Sequence, residues 1–192
     1  MSTDIDVTYV ARDVQATLPA AEYIARYRDV ERFERLCAAC PCYGQRWGCP
    51  PFDGDRLAEV DAFSTVTLFA CVITPERRDV PLSRVDLVMW PEVERLNARL
   101  IELEKAVGGL AMGFTGRCHY CLGEACTRPQ GLPCRYPEKV RPSLEAMGFD
   151  VDATARGLLG TPLEWSRDPQ RLPEHLTLIT ALFHNNLQPI SL

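Results

Sequence analysis

The sequence predicts an α+β protein in which a small sheet carries amphipathic helices and two cysteine-rich metal-binding loops. Two apolar runs of strand length, 65–73 and 176–183, are rich in β-branched residues. Between them, the spacing of apolar residues predicts an amphipathic helix over 91–107. Eight of the nine cysteines fall into two short segments, which we call loop A (37–51) and loop B (116–137).

Short helices are expected on either side of loop A. Apolar residues at helical spacing predict them at Leu18–Val30 and Asp55–Ala62. The run Thr65–Ile73 that follows is apolar and β-branched, which predicts a buried strand. Cys71 lies inside this run, apart from the other cysteines, and is expected to act as a small buried hydrophobic residue.

The clearest helix is the one predicted over 91–107. Its apolar residues recur at alternating steps of four and three, which places them on one face. They are Met89, Val93, Leu96, Leu100, Leu103 and Val107. Pro91 suits the first turn of a helix, and the pair Gly108-Gly109 is expected to end it.

Beyond this helix, the sequence predicts two more strands and two more short helices. Leu110–Phe114 is expected to be a strand that leads directly into loop B. Short helices are expected at Pro142–Met147, ended by Gly148, and at Asp152–Leu159. The run Leu176–Phe183 predicts the final strand.

Composition excludes several classes of protein. Hydrophobic residues make up 46% of the 192 residues and charged residues 24%, which is ordinary for a folded chain and favours a single domain over 1–192. No apolar run approaches the ~20 residues that span a bilayer, and the acidic start lacks the basic segment of a secretory signal. The net charge of −5 argues against a broad nucleic-acid surface. We therefore expect a cytoplasmic protein with no membrane or nucleic-acid partner.

The cysteine content is the unusual feature of this composition. In a reducing cytoplasm, nine cysteines indicate metal binding rather than disulfides. Eight of them form two groups of four: Cys37, Cys40, Cys42 and Cys49 in loop A, and Cys118, Cys121, Cys126 and Cys134 in loop B. We take these eight residues as the candidate cofactor-binding set and expect the two loops to meet in space.

Loop B has the sharper pattern. A Cys-x2-Cys pair, Cys118 and Cys121, lets two thiolates bind one centre from a tight turn. Between Arg117 and Arg141 the chain has five basic and two acidic residues, a net charge of +3 within an acidic protein. Nearby cations and backbone N–H groups would stabilise the negative charge of a [4Fe–4S] cluster held by four thiolates.

Loop A has a less regular spacing. Cys37, Cys40 and Cys49 are the preferred ligands, and a proline after Cys49 fixes the path by which the chain leaves the centre. Two roles are open for Cys42, which is either the fourth ligand or a spare thiol beside an iron left open to substrate. A cluster held by three cysteines would act as a Lewis acid or support sulfur chemistry instead of carrying electrons.

Zinc is the alternative metal. The two Cys-x2-Cys pairs could together form one four-thiolate site, and Cys118-x2-Cys121-x4-Cys126 is similar to the start of a zinc knuckle. However, zinc sites usually take their ligands as two close pairs, and eight thiols exceed the need of one zinc ion. We therefore favour iron–sulfur clusters over zinc.

One carboxylate is singled out for acid–base chemistry. Glu145 follows loop B closely, within a segment whose simpler interpretation is that Ser143 caps a short helix and Glu145 begins it. If the protein uses an acid or base, Glu145 is the residue to test.

The segments that carry these cysteines resemble a known family. They are Cys37-x2-Cys40-Pro-Cys42-Tyr-Gly, Trp47-Gly-Cys49-Pro-Pro-Phe52, Gly116-Arg-Cys118-x2-Cys121, Pro133-Cys134-Arg-Tyr-Pro137 and Arg141-Pro-Ser-Leu-Glu145-Ala-Met-Gly-Phe-Asp-Val151. Over about 37–160, the chain resembles bacterial and archaeal proteins labelled predicted metal-binding protein, a domain of unknown function. The resemblance implies an intracellular location and seven metal ligands: Cys37, Cys40, Cys49, Cys118, Cys121, Cys126 and Cys134. It implies no reaction.

These observations define three hypotheses for the function. The first is a protein with one or two iron–sulfur clusters, expected to be [4Fe–4S], that transfers electrons or serves as redox accessory to a partner enzyme. The second is an enzyme that uses an open-site [4Fe–4S] cluster near Cys42 for sulfur or dehydration chemistry. The third is a zinc-stabilised binding module.

Overall fold

Four antiparallel strands form a single sheet at the centre of the molecule. The computed structural model describes residues 7–53, 56–113, 118, 120–121 and 123–192. The strands are β1 (Tyr9–Pro19), β2 (Thr65–Pro75), β3 (Leu110–Met112) and β4 (Leu176–His184), in the order β1-β2-β4-β3. A small sheet combined with helices confirms the predicted α+β class.

β2 occupies the interior of the sheet and is its most buried strand. Val66–Ile73 is buried throughout, and Ala70 pairs with Val14 of β1 on one side and with Ile179 of β4 on the other. The apolar runs predicted this strand and β4 correctly. β3 ends at Met112, because the amide of the next residue, Gly113, donates a hydrogen bond of 3.0 Å to the carbonyl of Pro142. Phe114, the last residue of the predicted strand, lies outside the described residues.

β1 was not predicted from the sequence. It is an edge strand with most of its residues exposed, and apolar and polar residues alternate only in its second half, where Val14, Ala16 and Leu18 are half-buried. One exposed residue, Asp13, binds Arg95 at 2.6 and 2.9 Å. Pairing along the whole length of β2 provides the backbone hydrogen bonds that make this segment a strand.

The predicted helix Leu18–Val30 is wrong in its bounds. Two helices, α1 (Ala20–Tyr27) and α2 (Val30–Ala38), replace it, and Leu18 belongs to β1. The chain breaks at Asp29, whose carboxylate accepts a hydrogen bond of 3.0 Å from the amide of Arg32 and so caps α2. This break directs α2 toward loop A, because Cys37 lies in its last turn.

The long helix α3 (Asp86–Val107) begins earlier than predicted. Pro91 lies inside it rather than at its first position, and the preceding turn is held by the fully buried Val88, which packs with Ile73 of β2. Tertiary packing therefore extends the helix across a residue that usually starts one. The predicted end is confirmed, since Gly108 adopts a left-handed conformation with φ 62°.

The remaining short elements lie near their predicted positions. Residues Arg56–Ala62 and Glu145–Met147 form 3₁₀ turns, and α4 (Val151–Thr154) continues into a π-type turn, Ala155–Leu159. Further 3₁₀ turns occur at Leu82–Arg84 and Arg128–Gln130. Asp55, the first residue of one predicted helix, lies outside the described residues.

Helices cover both faces of the sheet. On one face, Leu96 of α3 belongs to the cluster that buries Cys71 and Leu178. On the other face, Tyr23 of α1 and the buried residues Met147 and Phe149 pack against Leu68 of β2 and its neighbours. The Glu145–Met147 turn is thereby fixed between the sheet and α2, which carries the first cysteine of loop A.

Gly148 closes this turn where it touches α2. Its φ is 89°, and an added Cβ would lie 2.9 Å from Cγ2 and 3.0 Å from Cα of Val30. We expect Gly148→Ala to lower the free energy of unfolding by about 2–3 kcal/mol, since it adds steric overlap to the cost of a left-handed residue. Urea-induced unfolding measured by circular dichroism checks this value.

Gly160→Ala is the matched control for this prediction. Gly160 also has a positive φ, 63°, but an added Cβ would meet nothing within 4 Å. We expect this control to lose about 1 kcal/mol, the cost of the backbone conformation alone. Equal losses for the two variants would show that the contact with Val30 has no energetic weight.

Candidate metal centres

Loop A folds as a chain of tight turns that continues from the end of α2. Hydrogen bonds link the amide of Cys40 to the carbonyl of Cys37 (2.9 Å), Tyr43 to Cys40 (3.0 Å) and Cys49 to Arg46 (3.1 Å). Each step reverses the backbone, so cysteines separated along the sequence are brought back toward the helix end.

The four thiols of loop A are electrostatic neighbours. Burial, together with the smaller effect of negative charge on Cys42, Cys40 and Cys37, raises the pKa of Cys49 to about 11. The amide of Cys42 also lies 3.5 Å from Sγ of Cys40. The structure thus groups Cys42 with the three residues that the sequence analysis preferred as ligands.

The four thiols of loop B form a second group. Burial raises the pKa of Cys118, and so do the neighbouring thiols of Cys121, Cys134 and Cys126, whereas a backbone hydrogen bond from Tyr120 lowers it. Residues 116, 117, 119 and 122 of this loop lie outside the described residues. All eight candidate ligands are described, and none of them forms a disulfide.

Hydrogen-bond donors reach the sulfur atoms of loop B. The amide of Tyr136 lies 3.4 Å from Sγ of Cys134, and Nη1 of Arg135 lies 3.4 Å from Sγ of Cys121. Amide and guanidinium donors stabilise negative charge on sulfur. This arrangement suits thiolates that bind a metal.

Loops A and B are joined by side chains that cross between them. Nη1 of Arg128 donates to the carbonyl of Arg46 at 2.6 Å, and the same guanidinium contacts the carbonyls of Cys49 and Pro51. Nε1 of Trp47 donates to Oγ1 of Thr127 at 3.1 Å. The two cysteine groups are therefore neighbours in space, as expected.

Arg46 lies between the two groups. A hydrogen bond with the thiol of Cys42 raises the pKa of Arg46, and the charges of Cys118 and Cys126 act in the same direction. Its Nη1 also donates to the carbonyl of Cys118 at 3.1 Å. The sequence analysis missed this residue, because it looked for cations in loop B alone; a basic residue between two cysteines of loop A was the available signal.

The basic residues of the segment 117–141 have varied roles. Arg141 binds Glu104 at 2.6 Å, which neutralises it, and Arg128 holds loop A. Nζ of Lys139 lies 5.7 Å from the ring centres of Tyr120 and Tyr136. Among the described basic residues of this segment, Arg135 is the one whose side chain contacts a sulfur atom. Arg117 lies outside those residues.

A cavity of about 580 Å³ opens beside loop A. All four thiols of that loop line it, and most of the remaining wall is apolar. Glu145 also lines it, and its surface is exposed. Desolvation by the surrounding protein raises the pKa of Glu145.

Glu145 begins a short turn, as the sequence suggested, but the N-cap position is occupied by Leu144 and not by Ser143. The hydroxyl of Ser143, one residue earlier, accepts a hydrogen bond of 3.2 Å from the amide of Ala146. Glu145 also lies close enough to loop A for its charge to raise the pKa of Cys37, after the larger effect of burial. The carboxylate singled out from the sequence therefore shares a cavity with the first cysteine group.

Cys71 lies away from both groups, inside β2. It is fully buried, and its Sγ is 3.6 Å from Oε2 of Glu92 and 3.6 Å from Nη2 of Arg95. Burial raises the pKa of this thiol to about 12. These contacts fit the packing role expected of it.

Two groups of four thiols on a small α+β scaffold are typical of cysteine-rich metal-binding proteins. The chain belongs to the family described as predicted metal-binding protein (DUF2284), whose profile matches residues 24–183. Searches of curated proteins and of solved structures gave no significant match. Among the described residues, no three His, Cys, Asp or Glu side chains converge closely enough to hold a single metal ion.

No helix within the described parts of the chain is both long and apolar enough to cross a membrane.

Proposed function

We propose that this protein is a cytoplasmic iron–sulfur protein in which each cysteine group holds one [4Fe–4S] cluster. The main support for the proposal is that the four thiols of loop A and the four thiols of loop B form two groups that lie next to each other. A [4Fe–4S] cluster takes four thiolates, one from each cysteine, and when bound it accepts and releases single electrons. Eight thiols in two sets of four match two such clusters.

The surroundings of the sulfur atoms support clusters over zinc. Amides reach Sγ of Cys40 and Cys134, and a guanidinium reaches Sγ of Cys121. Such donors are the means by which a protein tunes the reduction potential of an iron–sulfur centre.

Electron transfer with a partner is the activity that this arrangement favours. Arg46 and Arg128 hold the two loops together, so an electron received at one centre has a short path to the other. Cys40 is exposed, which gives a redox partner protein or enzyme access to the loop A centre. Neither part of this proposal requires a membrane or nucleic acid.

A second function is favoured by the cavity. A centre whose ligands face a cavity of about 580 Å³ could act on a small molecule, with Glu145 in the same cavity. This arrangement supports the open-site enzyme hypothesis, in which Cys42 does not bind iron. Glu145 would then hold or exchange a proton at the bound substrate.

Metal analysis of anaerobically purified protein tests the proposal. We expect a brown protein with broad absorbance near ~400 nm and about eight irons and eight sulfides per chain. About seven irons would indicate one cluster that lacks an iron at an open site. A colourless protein with one or two zinc ions and no sulfide would contradict the proposal and support the zinc-stabilised module.

A further inference from the structure

We infer that the cavity beside loop A binds a small organic cation, namely a protonated amine attached to an apolar body. The inference rests on the second of the two proposed functions, because it names the substrate class of a centre in loop A that faces this cavity. At about 580 Å³, the cavity lies within the range of ~300–1,000 Å³ that is usual for small-molecule sites.

The charge of the wall selects the ligand. Two carboxylates, Glu145 and Glu164, line the cavity, and none of its described lining residues is Lys, Arg or His. Thiolates of loop A bound to a metal would add further negative charge to the same wall. A carboxylate or phosphate ligand would meet only like charge here, whereas an ammonium group would meet its counter-ion.

Glu145 is the carboxylate that is free to receive this cation. Glu164 already accepts a hydrogen bond of 3.0 Å from the amide of His175 and lies 3.7 Å from Nδ1 of that residue. Glu145 interacts with the hydroxyl of Ser143, and among the described residues it has no ion-pair partner. A bound ammonium group would form a charge-assisted hydrogen bond with this carboxylate.

Aromatic and aliphatic side chains complete the site. Trp165 lines the cavity and is 81% exposed, so its indole lies at the opening, and Tyr43 lines the wall beside the thiols. Aromatic faces attract ammonium groups, while Met89, Leu176 and Ile179 offer apolar surface for the body of the ligand. A neutral apolar compound would use this surface without using either carboxylate.

Three probes with the same six-carbon chain test the inference: hexylammonium, hexan-1-ol and hexanoate. Binding is measured by calorimetry on the anaerobically purified full-length protein, with metal counted in the same sample. We expect hexylammonium to bind about tenfold more tightly than hexan-1-ol, because a charge-assisted hydrogen bond is added to the same apolar contact. We expect no measurable binding of hexanoate.

Glu145→Gln is the principal variant, and Glu138→Gln is its matched control. Glu138 is an exposed carboxylate near Cys134, outside the cavity lining. We expect Glu145→Gln to reduce the affinity for hexylammonium about tenfold and to leave that for hexan-1-ol unchanged. Glu138→Gln is expected to change neither affinity.

Trp165→Leu provides a second variant at an exposed position, where the fold tolerates substitution. It should weaken hexylammonium binding about threefold, because it removes a π face but keeps an apolar side chain. Equal affinity for the three probes, or tighter binding of hexanoate, would overturn the inference. If the protein contains zinc instead of iron but still binds hexylammonium selectively, the iron–sulfur proposal is wrong and the cation site stands. If it contains eight irons but does not prefer hexylammonium, the cation site is wrong and the iron–sulfur proposal stands.

Discussion

Under the proposal of two [4Fe–4S] clusters, Cys121→Ser is expected to remove about four of the eight irons, namely the whole cluster of loop B. Cys121 belongs to the group that includes Cys118, Cys126 and Cys134, and its Sγ lies 3.4 Å from Nη1 of Arg135. A serine hydroxyl is a poor ligand for iron in a sulfur cluster, since it is harder than a thiolate and is protonated at neutral pH. Iron and sulfide counts, with the absorbance near ~400 nm, measure the loss.

The yield of soluble protein should fall in the same variant. Loop B has 3₁₀ and turn structure at its described residues and no strand or α-helix of its own, so metal ligation would contribute to its folding. The loop A cluster should remain, because its four ligands are unchanged. A Cys121→Ser protein with all eight irons would refute the assignment of this residue as a ligand.

Cys71→Ala is the control for removing a thiol. This side chain is fully buried and lies apart from both groups, near Glu92 and Arg95. We expect it to lower the free energy of unfolding by about 1 kcal/mol and to keep about eight irons. Loss of iron in this control would mean that iron content follows general stability and does not identify ligands.

Phe149→Ala is expected to cause a large loss of stability. Phe149 is fully buried and stacks on Tyr23 with ring centres 4.8 Å apart, and its ring lies 5.7 Å from that of Phe183. Removing a buried phenyl ring costs about 3–5 kcal/mol, because apolar contact is lost and a cavity remains. We expect the Tm to fall by about 10 °C.

The conservative variant Phe149→Leu separates packing from other effects. Leucine keeps most of the apolar volume, so the loss should be below about 1.5 kcal/mol, or a few degrees in Tm. Both variants are measured by thermal unfolding under anaerobic conditions at the same metal content. Equal shifts for the two variants would contradict the view that this ring fixes the Glu145–Met147 turn against the sheet.

Prediction from sequence succeeded where the signal is local. The apolar runs of β2 and β4 and the periodic apolar stripe of α3 can each be recognised within one short segment of the sequence. It failed at β1, because alternation is confined to the short segment 14–18 and Leu18 was assigned to the following helix; pairing with β2 extends the strand to eleven residues. It also failed at Pro91, where packing of Val88 extends a helix that local preference would have started later.

The same division applies to the candidate site. Spacing along the chain was sufficient to separate the eight clustered cysteines from Cys71 and to single out Glu145. The position of Arg46 between the two groups, and the cavity shared by Glu145 with loop A, were not foreseen. Both depend on residues that are distant in the sequence, such as Arg46 and Cys118, which are 72 positions apart.

The sequence by itself therefore determined the chemistry that the protein carries: which side chains are thiols, how they are spaced, and which segments can be buried. The tertiary structure alone decided which groups meet. Cys37 is carried by α2, Glu145 by a turn that packs against α2, and the cavity between them is completed by residues of β4. Residue type and local spacing are properties of short segments, whereas a cavity and its charge arise only when distant segments pack together.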